Sequence, residues 1–277
     1  MFTIPTDKEC SVVETAHWSK AYNQLLDIIR ARSGISNGQS TLHDISAILL
    51  RNSDDTFLAW MVVCFVPWAR QTQKLPNKAT SKKPPSAASL AAKEGIKADN
   101  KITKVVDEAV SHLDEIIAMK NDVNDQSQQT TSPLKRKHGT ADRASQGQSI
   151  RKWGTHWRTS VIYALLTQVG ESETPSGKLL VFGMLNALLT RLETQKILNG
   201  YAFWLSDLQS FDLLDVDQLK SMVHGNQLTK ALGAKNGPWV SKALDMTMEW
   251  QLRNPDETDP AGAIAEVVAR RKELGFN

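Results

Sequence analysis

Large apolar residues recur every three or four positions in one segment of this chain after another, and that spacing constrains its fold most. Trp18, Tyr22, Leu25, Leu26 and Ile29 share one side of a helix that stops before Ser33-Gly34. An apolar segment at 45–50 precedes a polar break at 51–55, and a buried-looking helix at 57–66 ends at Pro67. Ile102, Val105, Val106, Ala109, Val110, Leu113, Ile116 and Ile117 predict a helix over about 101–120. Ile150, Trp153, Trp157, Val161 and Leu165 predict a continuous helix up to Gly170. Another runs over 179–198 and ends at Asn199-Gly200, and the stretch 201–214 is helical with one apolar face. Trp239, Ala243, Met246 and Trp250 form the apolar stripe of a helix over 239–253 that Asn254-Pro255 terminates. Asp259 as N-cap and Pro260 at the first helical position open a last helix through about Glu273. No period-two strand or hairpin turn signal stands out, so the expected fold is all-α, an irregular helical array in two parts with long basic and polar loops.

Composition shifts divide the chain into a helical segment at 1–69, a basic loop at 70–85, helices at 86–120, a disordered Gln/Ser/Thr-rich linker at 121–148, helices at 149–214 and a final part at 215–277. The net charge of +3 hides an uneven distribution. Arg70, Lys74, Lys78, Lys82 and Lys83 stand together without an acid, and Lys135, Arg136, Lys137, Arg143, Arg151 and Lys152 are opposed only by Asp142. Loops of this kind bind a phosphate backbone without reading sequence, or act as solvated linkers; the tract from Pro133 to His138 also fits a nuclear-import address. No apolar run reaches the roughly 18 residues that span a bilayer, and Asp7, Glu9 and Glu14 do not suit a targeting leader. With only Cys10 and Cys64, a soluble protein of a reducing, intracellular compartment is expected, without a disulfide framework or zinc site.

The turn Lys235-Asn236-Gly237-Pro238 before the 239–253 helix is the clearest chemical signal. Gly237 offers conformational freedom, and Pro238 suits the first helical position. Free backbone N–H groups at such a helix start, flanked by Lys230, Lys235 and Lys242, can hold a phosphate. The same features also serve as ordinary helix punctuation with a solvated lysine rim.

Gly225-Asn226-Gln227-Leu228, the run from Ala231 to Trp239, Ala243-Leu244-Asp245 and Glu249-Trp250-Gln251 resemble the C-terminal tail of eukaryotic, fungal-type tRNA nucleotidyltransferases, the CCA-adding enzymes. Arg151-Lys152-Trp153-Gly154, Trp157-Arg158 and the stretch from Val161 to Leu166 look like a body helix of the same family, and the run from Glu94 to Lys101 matches less specifically. The chain departs from the family at Asn226, where the family usually has Lys, and at Asn236, where it usually has Pro; the lost Lys weakens the inferred phosphate contact there, while the turn and helix survive. The resemblance implies a neck and body followed by a tail that grips the elbow and acceptor stem of tRNA. It implies RNA contacts at Lys230, Lys235, Asn236, Gly237, Lys242, Arg151, Lys152 and Arg158. It also implies work in the nucleus, cytoplasm or mitochondrion.

The family's catalytic head motifs do not occur in the sequence: there is no Gly-Gly-x-Val-Arg-Asp loop, no Arg-Arg-Asp-x-x-x-Asn and no Glu-Asp-x-x-Arg template. Asp215-Val216-Asp217 is the sole Asp-x-Asp, and it lacks the strand and Gly-rich loop that would fix a metal pair. No catalytic residue and no cofactor is therefore expected in this chain; Mg2+ and CTP or ATP would belong to a missing head. A free-standing helical RNA-binding protein is the alternative. A more distant one is an HD-type metal phosphohydrolase built on His43-Asp44, His17 and Asp107 or Asp114, with Asp44 otherwise capping a helix near Ile45.

Overall fold

The computed structural model describes residues 15–33, 40–71, 85–129, 142–172 and 183–276, and among them every regular element is helical. In chain order these are α1 (Thr15–Arg32), α2 (Ser40–Leu49), α3 (Ser53–Val63), α4 (Ala87–Leu90), α5 (Asn100–Gln129), α6 (Arg143–Trp153), α7 (Trp157–Glu171), α8 (Gly183–Ser210), α9 (Gly225–Leu232), α10 (Trp239–Arg253) and α11 (Pro260–Ala269). Short 3-10 turns lie at Val66–Trp68, Val216–Gln218 and Arg271–Leu274. The all-α expectation holds, and no helix among the described residues is long and apolar enough to cross a membrane. The chain divides into two compact units, one of residues 1–125 and 156–207, the other of 126–155 and 208–277.

The first unit is organised around α7, which is buried on all sides from Trp157 to Thr167. Val161 to Leu166 is an unbroken apolar run, and a helical stretch apolar around its circumference lies in the interior. Neighbouring α1, α2 and α3 cover it, α1 through Ala21, Leu25, Ile28 and Ala31. Within this core Tyr163 Oη donates to Phe65 O at 3.1 Å, and at its edge the exposed Arg32 donates to Leu50 O and to Arg51 O beyond α2.

Several expected boundaries move. The helix predicted to stop at about 120 continues to Gln129, because Val123 is fully buried and Asn124 Nδ2 donates to Gly200 O at 3.3 Å. The linker expected at 121–148 thus begins as helix and ends as α6; residues 130–141 lie outside the described residues, as do 72–84 of the expected basic loop. Asn199-Gly200 does not end a helix, since α8 passes through it. A Cβ at Gly200 would stand 3.0 Å from Asn124 Nδ2, so this glycine serves close approach rather than termination. The single helix predicted up to Gly170 is broken at Gly154, whose φ of 79° leaves the helical region. Pro67 sits inside the 3-10 turn after α3 rather than at a helix end.

In the second unit, Val223, Leu228, Ala243, Met246, Ala263 and Val267 form a core, with Trp239, Trp250 and Ile264 packed against it. The predicted stripe of α10 therefore faces this core. Asp259 caps α11 as expected, accepting the Ala261 N–H at 2.9 Å.

Candidate nucleic-acid interface

Two helix starts frame the segment that the sequence singles out. Before α9, the extended backbone of His224 and the bond from its N–H to Gln227 Oε1 at 2.7 Å fix the approach of the chain. Gly233, with φ 63°, ends α9, and residues 234–238 lead directly to α10. Trp239 Nε1 donates to Lys235 O at 3.0 Å, so the first side chain of α10 closes the turn in front of it. Gly237 does not use a positive φ; its missing side chain matters because a Cβ would stand 3.2 Å from Trp239 Cδ1. Pro238 stands at the N-cap rather than at the first helical position, with helical φ −58° and ψ −22°.

His224, Gly225, Asn226, Asn236, Gly237 and Val240 line an open recess of about 550 Å3 where α9 and α10 both begin. The Gln227 N–H already bonds to His224 O at 2.9 Å and the Val240 N–H to Gly237 O at 3.1 Å, and Pro238 has no N–H, so what both helix starts share at this end is chiefly the partial positive charge of their macrodipoles. Such an end, with exposed Lys235 beside it, is chemically suited to an anion of phosphate size.

The expected contact residues divide into groups. Asn236 and Gly237 line the recess, and exposed Lys235 is next to them in the turn. Lys242 is in the first turn of α10, where its Nζ donates to Glu273 O at 2.6 Å. Lys230 is exposed but lies in the last turn of α9, away from that helix's start. Arg151 is occupied by Val216 O at 3.0 Å and by Leu219 O, so it holds the 3-10 turn, while Lys152 is exposed. Arg158 cannot serve as a surface contact. It is 4% exposed, its Nε donates to Ile48 O at 3.1 Å, and its guanidinium lies 4.5 Å from the Trp157 ring centroid. His224 and Val240 line the recess without having been singled out by sequence; the spacing of His224 to Gln227 is the one signal that points to a helix start there.

Beyond α11, Glu273 is held below the usual carboxylate range chiefly by the hydrogen bonds from Arg270. Arg270 in turn is pushed up, chiefly by the same bonds, so the charges of this pair satisfy each other.

Among the described residues, the metal-site alternatives find no ligand set. His43 and Asp44 lie 3.6 Å apart on an exposed face of α2. Asp44 is interior to that helix rather than its cap, because α2 begins at Ser40. Asp107 accepts the Ser86 N–H and Asp114 pairs with Arg70, while the side chain of His17 lies outside the described residues. Asp215 is at the N-cap of the 3-10 turn that holds Asp217. Among the described residues, no three His, Cys, Asp or Glu side chains gather where they could hold a metal ion.

No family model and no solved structure matches the chain. Among characterised proteins it is similar to nucleotidyltransferase lcsQ of Purpureocillium lilacinum, 29% identical over all of this chain and 47% of that protein. It is also similar to tRNA nucleotidyltransferase cca1 of Schizosaccharomyces pombe, 20% identical over 75% of this chain and 35% of the other. A stretch of 74 residues is 35% identical to the mitochondrial CCA tRNA nucleotidyltransferase of Saccharomyces cerevisiae, covering 26% of this chain and 14% of the other. The chain spans about half the length, or less, of the curated relatives it matches. Its relatives are nucleotidyltransferases, fungal tRNA nucleotidyltransferases among them, at low identity.

Proposed function

We propose that this chain is the tRNA-gripping, body-and-tail part of a CCA-adding type of nucleotidyltransferase, and that it adds no nucleotides by itself. The observation that carries the reading is the recess at the joint start of α9 and α10, with Lys235 beside it, in a chain similar along its length to a nucleotidyltransferase. Backbone donors and lysines suit recognition of structured RNA by shape and phosphate rather than by base edges, as double-helical RNA requires. The proposed contacts are Lys230, Lys235, Asn236, Gly237, Lys242 and Lys152; Arg158 is left out because of its burial, and Arg151 because Val216 O and Leu219 O hold its guanidinium. Catalysis would need the head motifs that the sequence lacks, and no step through Mg2+ or a nucleotide is assigned to these residues. On this reading the chain works where tRNA 3′ ends are matured, in the nucleus, cytoplasm or mitochondrion. Incubating the purified chain with labelled CTP and ATP and tRNA lacking its CCA end tests the division of labour: we expect tRNA binding without incorporation. Incorporation above background would contradict it.

A further inference from the structure

After α11 the chain folds back onto the start of α10. Arg270 grips Glu273 through Nε and Nη2, at 2.8 and 2.9 Å, which closes the 3-10 turn Arg271–Leu274. Gly275 then takes φ 88°, a left-handed conformation that a residue with a side chain rarely adopts, and the Phe276 N–H bonds to Arg271 O at 3.3 Å. This reversal sets the Phe276 ring edge-on against Trp239, with centroids 5.2 Å apart and planes at 77°. A second tie is the bond from Lys242 Nζ to Glu273 O.

Trp239 is the side chain on which the binding turn depends. Its indole N–H donates to Lys235 O, its ring crowds the position a Cβ on Gly237 would take, and its body packs against the core of the second unit. The contacts run in series, from Phe276 to Trp239 to the carbonyl of Lys235, and Asn236 and Gly237 of the recess follow directly. An edge-to-face aromatic pair fixes the ring it rests on, beyond what burial alone provides.

We propose that Phe276 is a positioning residue for RNA binding: it holds the Trp239 indole, and so keeps the turn at 235–238 in the shape that presents the recess and Lys235. The proposal rests on the RNA-binding reading above. The same fold-back brings exposed Arg271 and Lys272 into the segment pinned to the start of α10, where their charge favours the same ligand.

The test compares the full chain with Phe276→Ala and Phe276→Tyr, using amide hydrogen exchange at 235–240 and tRNA affinity across a salt series. In Phe276→Ala, exchange at the turn should speed up and tRNA affinity should fall about 3- to 10-fold, the range such a ring pair supplies. The salt slope should stay unchanged, because no charge is removed. Phe276→Tyr should restore both readouts. Unchanged exchange in Phe276→Ala would overturn the proposal, as would faster exchange with unaltered affinity, or a Tyr variant as weak as the Ala one. If the wild-type chain binds no tRNA, the RNA reading itself fails and the positioning role goes with it. Exchange at 235–240 still reads the brace separately, so the two failures are told apart.

Discussion

Lys120 and Arg158 both carry positive charge into the interior of the first unit, and their surroundings treat it differently. Arg158 has a backbone acceptor and an aromatic face, the pairing that makes a buried guanidinium tolerable. Lys120, 6% exposed, meets the neutral Gln168 Oε1 at 3.3 Å and the Tyr201 ring at 5.0 Å among the described residues. Burial pushes its ammonium below the ordinary lysine range, with Asp125 opposing the shift and Lys196 adding to it. The unfolded chain therefore binds this proton more tightly than the folded one. Between the folded and the ordinary lysine value, stability should rise with pH as the penalty of the buried charge disappears. Lys120→Met should flatten that rise and leave the protein at least as stable at neutral pH, as a denaturant midpoint followed from neutral to alkaline pH will show. A variant with the same alkaline rise would assign the slope to another group. Charge on an arginine or lysine is visible in sequence, but whether the fold turns it inward is not, which is why Arg158 reads as a contact until its burial is seen.

Among the elements, periodicity was a good guide to which stretches are helical and a poor one to where they end. α10 runs from Trp239 to Arg253 as its spacing predicts, and the Asp259 cap of α11 stands where it should. Local signals supply both boundaries there: a proline before the helix, Asn254-Pro255 after it, and Asp259 ahead of Pro260. At Gly200 the local signal says stop, but contact with Asn124 wins, because a distant partner in α5 sets the role of that glycine. The recess is legible in part for the same reason. Its turn and lysines are local, whereas its meeting with His224 and Gly225 depends on the packing of α9 against α10. Gly262 makes the dependence on packing testable. A Cβ there would stand 2.4 Å from Trp250 Cζ2, between α10 and α11. Gly262→Ala should destabilise the second unit by about 1–3 kcal/mol through overpacking, less the up to about 1 kcal/mol that alanine gains in a helix. Its thermal midpoint should fall; a raised midpoint would mean that the helices separate at little cost.

For the whole molecule, two helical units, each with its own core, make up a chain that spans half or less of its relatives' length. Fold class follows from composition and period alone. The proposed function follows from neither; it rests on particular residues around one turn and on similarity to nucleotidyltransferases. Under the proposed function that turn grips the phosphates of a folded tRNA, and a filter-binding titration of the chain with tRNA over a series of salt concentrations tests this most directly. The prediction is saturable binding whose logarithm falls linearly with log salt, with Lys235→Ala weakening all tRNAs alike and lowering the slope by about one. Absence of binding, or an affinity that does not change with salt, would contradict it.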